Sequence, residues 1–220
     1  MTSIWKKQIG KNNVRKYAAN IINLYLDGEI MSKQAKTLTN VDVKRILDFI
    51  ALKKHAARNR AMFLVTLYAG LRVGEVASLR YMDVLDVDNE VRDEIRLDAS
   101  VTKGNEARTV FVNAKLRKEL QYYISVTPYT NLADKLFYTQ KNEGFTANTL
   151  TQFFHYLYRS AHVDGATSHS GRRTFITTLA NKGVSVRLLA SLVGHKNIST
   201  TQFYIDVNDD MKRSAVELAY

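Results

Sequence analysis

The sequence predicts a mainly α-helical protein with a small antiparallel β-sheet, an α+β fold, and three observations carry that prediction. Apolar residues recur at three- and four-residue intervals through most of the chain, as in helices that bury one face. Four glycines, Gly28, Gly70, Gly183 and Gly194, stand where those apolar stripes stop, the usual place of a helix C-terminal cap. The residues from Glu94 to Val112 instead alternate apolar and polar on either side of Gly104-Asn105, which is the pattern of a β-hairpin.

Taken in order, Val14, Tyr17, Ala18, Ile21 and Tyr25 share one face of a first helix that Gly28 ends, so residues 1–38 form a short arm with one helix. Thr39 or Asn40 can cap a helix beginning near Val41, with Val43, Ile46, Leu47 and Ile50 as its apolar stripe. The next helix spans about Ala56 to Ala69. After Gly70 the run Leu71-Arg72-Val73-Gly74 turns directly into another helix, leaving Arg72 between two helices, where its charge can point into a cleft. Seven carboxylates between Asp83 and Asp98 mark a solvent-facing loop and the start of the sheet, and Lys103 sits where the first strand enters its turn. A helix over Ala114 to Ser125 is followed by a loop at the lone proline, Pro128. Leu136-Phe137-Tyr138 reads as a short third strand. Helices are then expected over Ala147 to Ala161, Gly171 to Lys182, Val186 to Val193, Ser199 to Tyr204 and from Asp209 onward. The division is an arm over 1–38, a main domain over 39–205 and a tail helix over 206–220.

With 45% hydrophobic and 24% charged residues the chain is neither disordered nor fibrous in composition. No apolar run approaches the roughly 18 residues of a membrane span, and no apolar segment at the start precedes a small-residue cleavage site. A cytoplasmic protein with no membrane partner is expected. The absence of cysteine excludes disulfides, thiolate metal sites and a cysteine nucleophile. Of the five histidines, His155, His162 and His169 recur every seven residues, but no carboxylate joins them at ligand spacing, so neither metal nor cofactor is expected. The net charge of +11 is uneven: residues 1–60 hold 13 Lys or Arg against 4 Asp or Glu, the remainder 19 against 17. A basic first third on a nearly balanced body suits a polyanion, because each phosphate neutralised releases condensed counterions.

The chemistry gathers in the last quarter. His195 follows the glycine break at Gly194, and Tyr204 comes nine residues later; upstream, His169 precedes Arg172 by three. Two imidazoles, a guanidinium and a phenol, each beside a helix boundary, are groups that suit a phosphate attacked by tyrosine. Set beside Gly70-Leu71-Arg72-Val73-Gly74-Glu75-Val76, Lys103 in its hairpin, His169-Ser170-Gly171-Arg172 and Gly194-His195, Tyr204 completes five separated elements. In that order they resemble the tyrosine recombinases, the phage-integrase family, from about Thr39 to the C-terminus.

The resemblance implies a site-specific recombinase that cleaves and rejoins double-stranded DNA at specific recombination sites through a covalent 3′-phosphotyrosyl intermediate, for integration, excision or inversion. Arg72 and Arg172 would clamp the phosphate and Tyr204 would attack it. His169 would be the base, Lys103 would protonate the leaving 5′ oxygen and His195 would donate a hydrogen bond, with Glu75 orienting the cations. It further implies a homo-tetramer on DNA that is a monomer when free, a tail helix exchanged between protomers, accessory DNA-bending proteins and action at the nucleoid of a prokaryotic cell. Relatives usually carry a helical domain before the catalytic one, so the chain resembles compact members such as the fimbrial-switch invertases, or the catalytic part of a longer integrase. Gly171 stands where the family usually has leucine, and is expected to loosen its helix start at about 1 kcal/mol. Arg173 is expected to point off the other side of that helix. A catalytically silent helix-turn-helix-like DNA-binding protein and a monomeric relaxing topoisomerase are the alternatives.

Overall fold

A computed structural model describes residues 35–102, 105–141, 143–205 and 209–217, and these are mostly helical, as the apolar periodicity requires. The expected first helix, residues 1–34 of the arm and Lys103 at the hairpin tip lie outside the described residues, whereas Leu38, assigned to the arm, is 5% exposed in the core and its N donates to Thr174 Oγ1 at 2.8 Å. Helix α1 (Asn40–Ala51) begins at Thr39, whose hydroxyl accepts from Asp42 N while the Asp42 carboxylate accepts from Thr39 N, a reciprocal cap. Helix α2 (Ala56–Tyr68) is buried continuously from Ala61 to Leu67, which makes it the central helix of the core. Two short helices, α3 (Val73–Ser78) and α4 (Tyr81–Val84), follow.

Strands β1 (Glu94–Leu97) and β2 (Arg108–Phe111) pair antiparallel, with Glu94 opposite Phe111 and Leu97 opposite Arg108. Alternation along β1 puts Ile95 and Leu97 inward and leaves Glu94 and Arg96 exposed. The first strand stops four residues short of the Val101 expected from its alternation. Past Leu97 the chain folds into a 3₁₀ turn (Ala99–Val101), whose end Thr102 N closes by donating to Ala99 O, and Thr102 Oγ1 accepts from Glu106 N. The expected third strand is also absent among the described residues. Leu136–Tyr138 is held instead by Leu136 N donating to Leu79 O and by isolated bridges, Arg80 with Lys135 and Tyr138 with Gly144.

Helices α5 (Ala114–Ser125), α6 (Ala147–Ser160), α7 (Ser170–Asn181), α8 (Val186–Val193), α9 (Ile198–Gln202) and α10 (Asp209–Glu217) complete the order. Helix α2 packs on α5 and α7, α3 on α6, and α8 on both α9 and β2. One core cluster joins Ile46, Phe63, Leu116, Leu150 and Phe154; a smaller one joins Ile176, Ala180, Leu189 and Val193, with Tyr204 packed at its edge. Each such fully buried large apolar side chain contributes roughly 1.5–3 kcal/mol. The Arg60 guanidinium adds a two-pronged pair at 2.6 Å to the Glu119 carboxylate, tying α2 to α5. Among the described residues no helix is long and apolar enough to cross a membrane, and no group of three His, Asp or Glu could hold a metal ion.

Candidate active site

The site is built on the C-terminal end of α8. Gly194 adopts φ +64°, and the turn closes with His195 N donating to Ala190 O and Gly194 N to Ser191 O, the paired bonds of a Schellman cap. That cap leaves the carbonyls of Leu192, Val193 and Gly194 for other donors. Each receives an arginine: Arg108 Nη1 donates to Leu192 O at 2.9 Å, Arg172 Nη2 to Val193 O at 2.6 Å, and Arg72 Nη2 to Gly194 O at 3.3 Å. Cations are favoured at a helix C-terminus, where the backbone dipole is negative.

Three guanidiniums held this close need an anion, and Glu75 supplies it from α3. Its side chain, 1% exposed, accepts from Arg72 N at 2.8 Å, from Arg72 Nη1 at 3.0 Å and from Arg108 Nη2 at 2.7 Å. Burial alone would raise the Glu75 carboxyl, but the hydrogen bond and charge of Arg108 outweigh it and hold the group below the usual carboxylate range. Arg172, 3% exposed, also donates through Nη1 to Gly70 O at 2.5 Å. Burial first and the neighbouring Arg72 charge second lower it to about 9, which leaves it cationic at neutral pH. Three guanidiniums against one carboxylate leave two positive charges in the cluster.

His195 and Tyr204 stand beside this cluster. The imidazole Nδ1 lies 2.8 Å from Thr201 Oγ1, and the ring stacks on the Tyr204 ring at 5.8 Å between centroids and 24° between planes. Burial, then the Arg172 and Arg72 charges, push His195 down to about 4, so the ring is neutral at physiological pH. Tyr204 lies just beyond α9 and not within it, as its periodicity suggested, with Tyr204 N donating to Thr201 O at 3.0 Å. The Arg173 guanidinium sits 5.3 Å from the Tyr204 ring centroid, and its Nε donates to Thr37 Oγ1. Arg173 is therefore buried under the tyrosine and does not point away from the site.

Of the residues singled out in the sequence, the fold brings Arg72, Glu75, Arg172, His195 and Tyr204 together. His169 is the N-cap of α7, exposed and one turn before Arg172. Arg108 was missed, because its position at the first residue of β2 reads as an ordinary strand arginine; only the packing of β2 on α8 reveals it. Its side chain is 9% exposed. The cleft that opens over the cluster, about 640 Å³, is lined by Arg72, Thr102, Arg108, Leu188, His195 and Lys196 among others. Across its mouth Lys196 Nζ pairs with Glu106 Oε1 of the hairpin loop at 2.7 Å.

Buried cations with one counter-charge, a neutral imidazole and a stacked phenol define an anion site suited to phosphoryl transfer. Residues 36–211 match the sequence model of the phage integrase family. Tyrosine recombinase XerC of Caldanaerobacter subterraneus subsp. tengcongensis is 30% identical over 164 residues, covering 72% of this chain and 44% of that protein. Transposase A from transposon Tn554 of Staphylococcus aureus is 26% identical over 226 residues, covering 95% of this chain and 60% of that protein. The chain thus spans about half the length of these curated relatives. The crystal structure of XerA recombinase superposes with a TM-score of 0.67 at 25% identity, covering 83% of this chain and 64% of that one. The Tn1549 transposon integrase in complex with circular intermediate DNA shares the fold, with a TM-score of 0.66 at 23% identity over 87% of this chain and 69% of that one. The chain belongs to the phage integrase family, and its fold is that of the tyrosine recombinase catalytic domain.

Proposed function

We propose that this chain is a site-specific recombinase that cleaves and rejoins duplex DNA with Tyr204 as nucleophile. The observation that carries the proposal is the seating of three arginines on the consecutive carbonyls of Leu192, Val193 and Gly194, with His195 and Tyr204 stacked beside them in the same chain. A phosphodiester brings one negative charge, and a second develops on its nonbridging oxygens as the nucleophile closes in. The two surplus charges of the cluster match that developing dianion, and because they are already oriented the cost of arranging them is met on folding.

In the proposed step the Tyr204 oxygen attacks the scissile phosphorus, its proton passing to a base for which His169 is the candidate. The bond to the 5′ oxygen breaks as the phosphotyrosyl bond forms, leaving DNA joined through its 3′ phosphate and a free 5′ hydroxyl. Lys103 would deliver the proton to that departing oxygen. The fixed charges of Arg72 and Arg172 would stabilise the charge growing on the nonbridging oxygens, and Arg108 with Glu75 keeps them in register. Attack by a 5′ hydroxyl from another strand reverses the chemistry, so the phosphotyrosyl bond stores the energy of the broken one. The stacking of the Tyr204 ring on His195, beside the arginine cluster of its own chain, favours cleavage in cis, with the 206–220 tail as the segment exchanged in a homo-tetramer on DNA. Residues 1–38 would add phosphate grip as a basic arm, accessory DNA-bending proteins would assist, and the work would take place at the nucleoid.

The test is a duplex nicked next to the cleavage position, so that the short 5′-hydroxyl fragment diffuses away and traps the intermediate. A covalent protein–DNA adduct is expected with the natural chain and none with Tyr204→Phe. Specific binding without any adduct would favour a silent DNA-binding module, and an adduct surviving Tyr204→Phe would place the nucleophile elsewhere.

A further inference from the structure

We infer that Thr201 is a positioning residue that fixes the tautomer of His195, so that the ring offers Nε2–H to a phosphate oxygen in the cleft. The inference rests on the proposed role of the site and adds to it a residue that the sequence did not single out.

Thr201 is 0% exposed, so its hydroxyl proton has no water to go to. Among the described residues its Oγ1 has one hydrogen-bond partner, His195 Nδ1 at 2.8 Å. A neutral imidazole carries one proton, and two arrangements follow. If Nδ1 held the proton it would donate to Oγ1, and the threonine's own proton would be left buried without an acceptor, which folded proteins avoid. If Nε2 holds it, Nδ1 accepts from the threonine and both groups are satisfied. The geometry selects the second arrangement, and the free Nε2–H is then the edge that a phosphate can use.

The neutrality of the ring makes this choice matter. Burial first, and then the charges of Arg172, Arg72 and Arg108, oppose a further proton on His195, which therefore carries one proton near neutral pH. A ring with the opposite tautomer would turn a bare nitrogen lone pair toward an anion. Thr201 also holds the other side of the pair: its carbonyl accepts from Tyr204 N, and the Tyr204 ring stacks on the imidazole that its hydroxyl orients. One buried side chain and its own carbonyl therefore set both the donor and the nucleophile-bearing segment. Helix α9 makes this possible by starting at an Asn197 cap, whose side chain accepts from Ser199 N.

The experiment has two readouts on the full chain. Two-bond ¹H–¹⁵N correlation spectra of histidine-labelled protein at neutral pH, with the His195→Asn variant assigning the signal, show which ring nitrogen is protonated. A protonated Nε2 is expected; a protonated Nδ1 overturns the inference whether or not the chain cleaves DNA. The second readout is adduct formation on the nicked duplex. Thr201→Val keeps the shape and removes the hydroxyl, and should slow cleavage about tenfold, the rate equivalent of one hydrogen bond, with DNA affinity unchanged. Thr201→Ser restores the hydroxyl and should return the rate to within about twofold. Cleavage by Thr201→Val at the natural rate, or by Thr201→Ser as slowly as by Thr201→Val, sinks the idea. Should Thr201→Val fail to fold, the natural-chain spectrum and the serine variant still decide. If the natural chain forms no adduct, the recombinase proposal fails while the spectrum continues to report on Thr201.

Discussion

A Cβ atom added at Gly171 would lie 2.1 Å from Thr66 Oγ1 and 2.9 Å from Thr66 Cβ. The glycine is therefore the point where α7 is pressed against the buried centre of α2, a close approach that gives a packing reason for a residue weak in helix propensity. Alanine would gain about 1 kcal/mol of helix propensity but must push Thr66 off the Phe63 carbonyl to which its hydroxyl donates. Overpacking at such a contact costs about 1–3 kcal/mol, so Gly171→Ala should be destabilised on balance, as read by urea denaturation. Glu75 supports a second expectation at this scale. Its carboxyl lies below the usual range in the folded chain, so its contribution is present above the unfolded value and is lost as pH falls through the folded one. Glu75→Gln should be less stable by about 3 kcal/mol at pH 7, the cost of breaking a buried pair. The gap between variant and natural chain should narrow as the medium is made acid, checked by urea titrations across that range.

Among the elements, the end of α8 carries the most. Its cap consumes the carbonyls of Ala190 and Ser191 and presents the next three to arginines arriving from the α2–α3 turn, from β2 and from α7. The hairpin is thus coupled to the site by Arg108, and that coupling differs in kind from the ion pair at the loop. Arg108→Met keeps an apolar stem but leaves Leu192 O without its arginine donor and the buried Glu75 carboxylate with Arg72 alone. About 3 kcal/mol of stability should be lost, and adduct formation should fall more than DNA affinity does. Glu106 and Lys196 are both largely exposed, so Glu106→Gln should change stability by less than about 0.5 kcal/mol. Chemical denaturation of the two variants side by side checks the contrast.

At the scale of the whole molecule, charge separates binding from chemistry. Residues 1–60 hold a net +9 of the total +11, while the site, three guanidiniums against the Glu75 carboxylate, holds a local surplus of two. DNA affinity should therefore fall steeply with salt. Removal of residues 1–34, which spares Thr37 and the core residue Leu38, should flatten the plot of log affinity against log salt by about 0.9 for every phosphate the arm touches. Fluorescence anisotropy on a labelled duplex at several salt concentrations measures it, and an unchanged slope would mean that the arm leaves DNA alone.

From Thr39 onward most of the helices, a cap at Thr39 or Asn40, the pairing of two strands and the turns at Gly70 and Gly194 were legible in the sequence, because local spacing and backbone preference act over a few residues; the short helix α4 was not. The gathering of Arg72, Arg172, His195 and Tyr204, proposed above as a phosphate site, was foreshadowed for a related reason: each sits beside a helix boundary that the chain marks with glycine or a hydroxyl. What stayed hidden was settled between elements distant in sequence. Arg108 became a site residue only because β2 packs on α8, Arg173 was turned under Tyr204, and Gly171 acquired its purpose from Thr66, 105 residues upstream. The sequence alone determined which cationic, imidazole and phenol side chains stand at helix boundaries. The tertiary structure decided which of them share one low-dielectric cleft, because burial and charge pairing depend on what lies across the gap and not on what lies next along the chain.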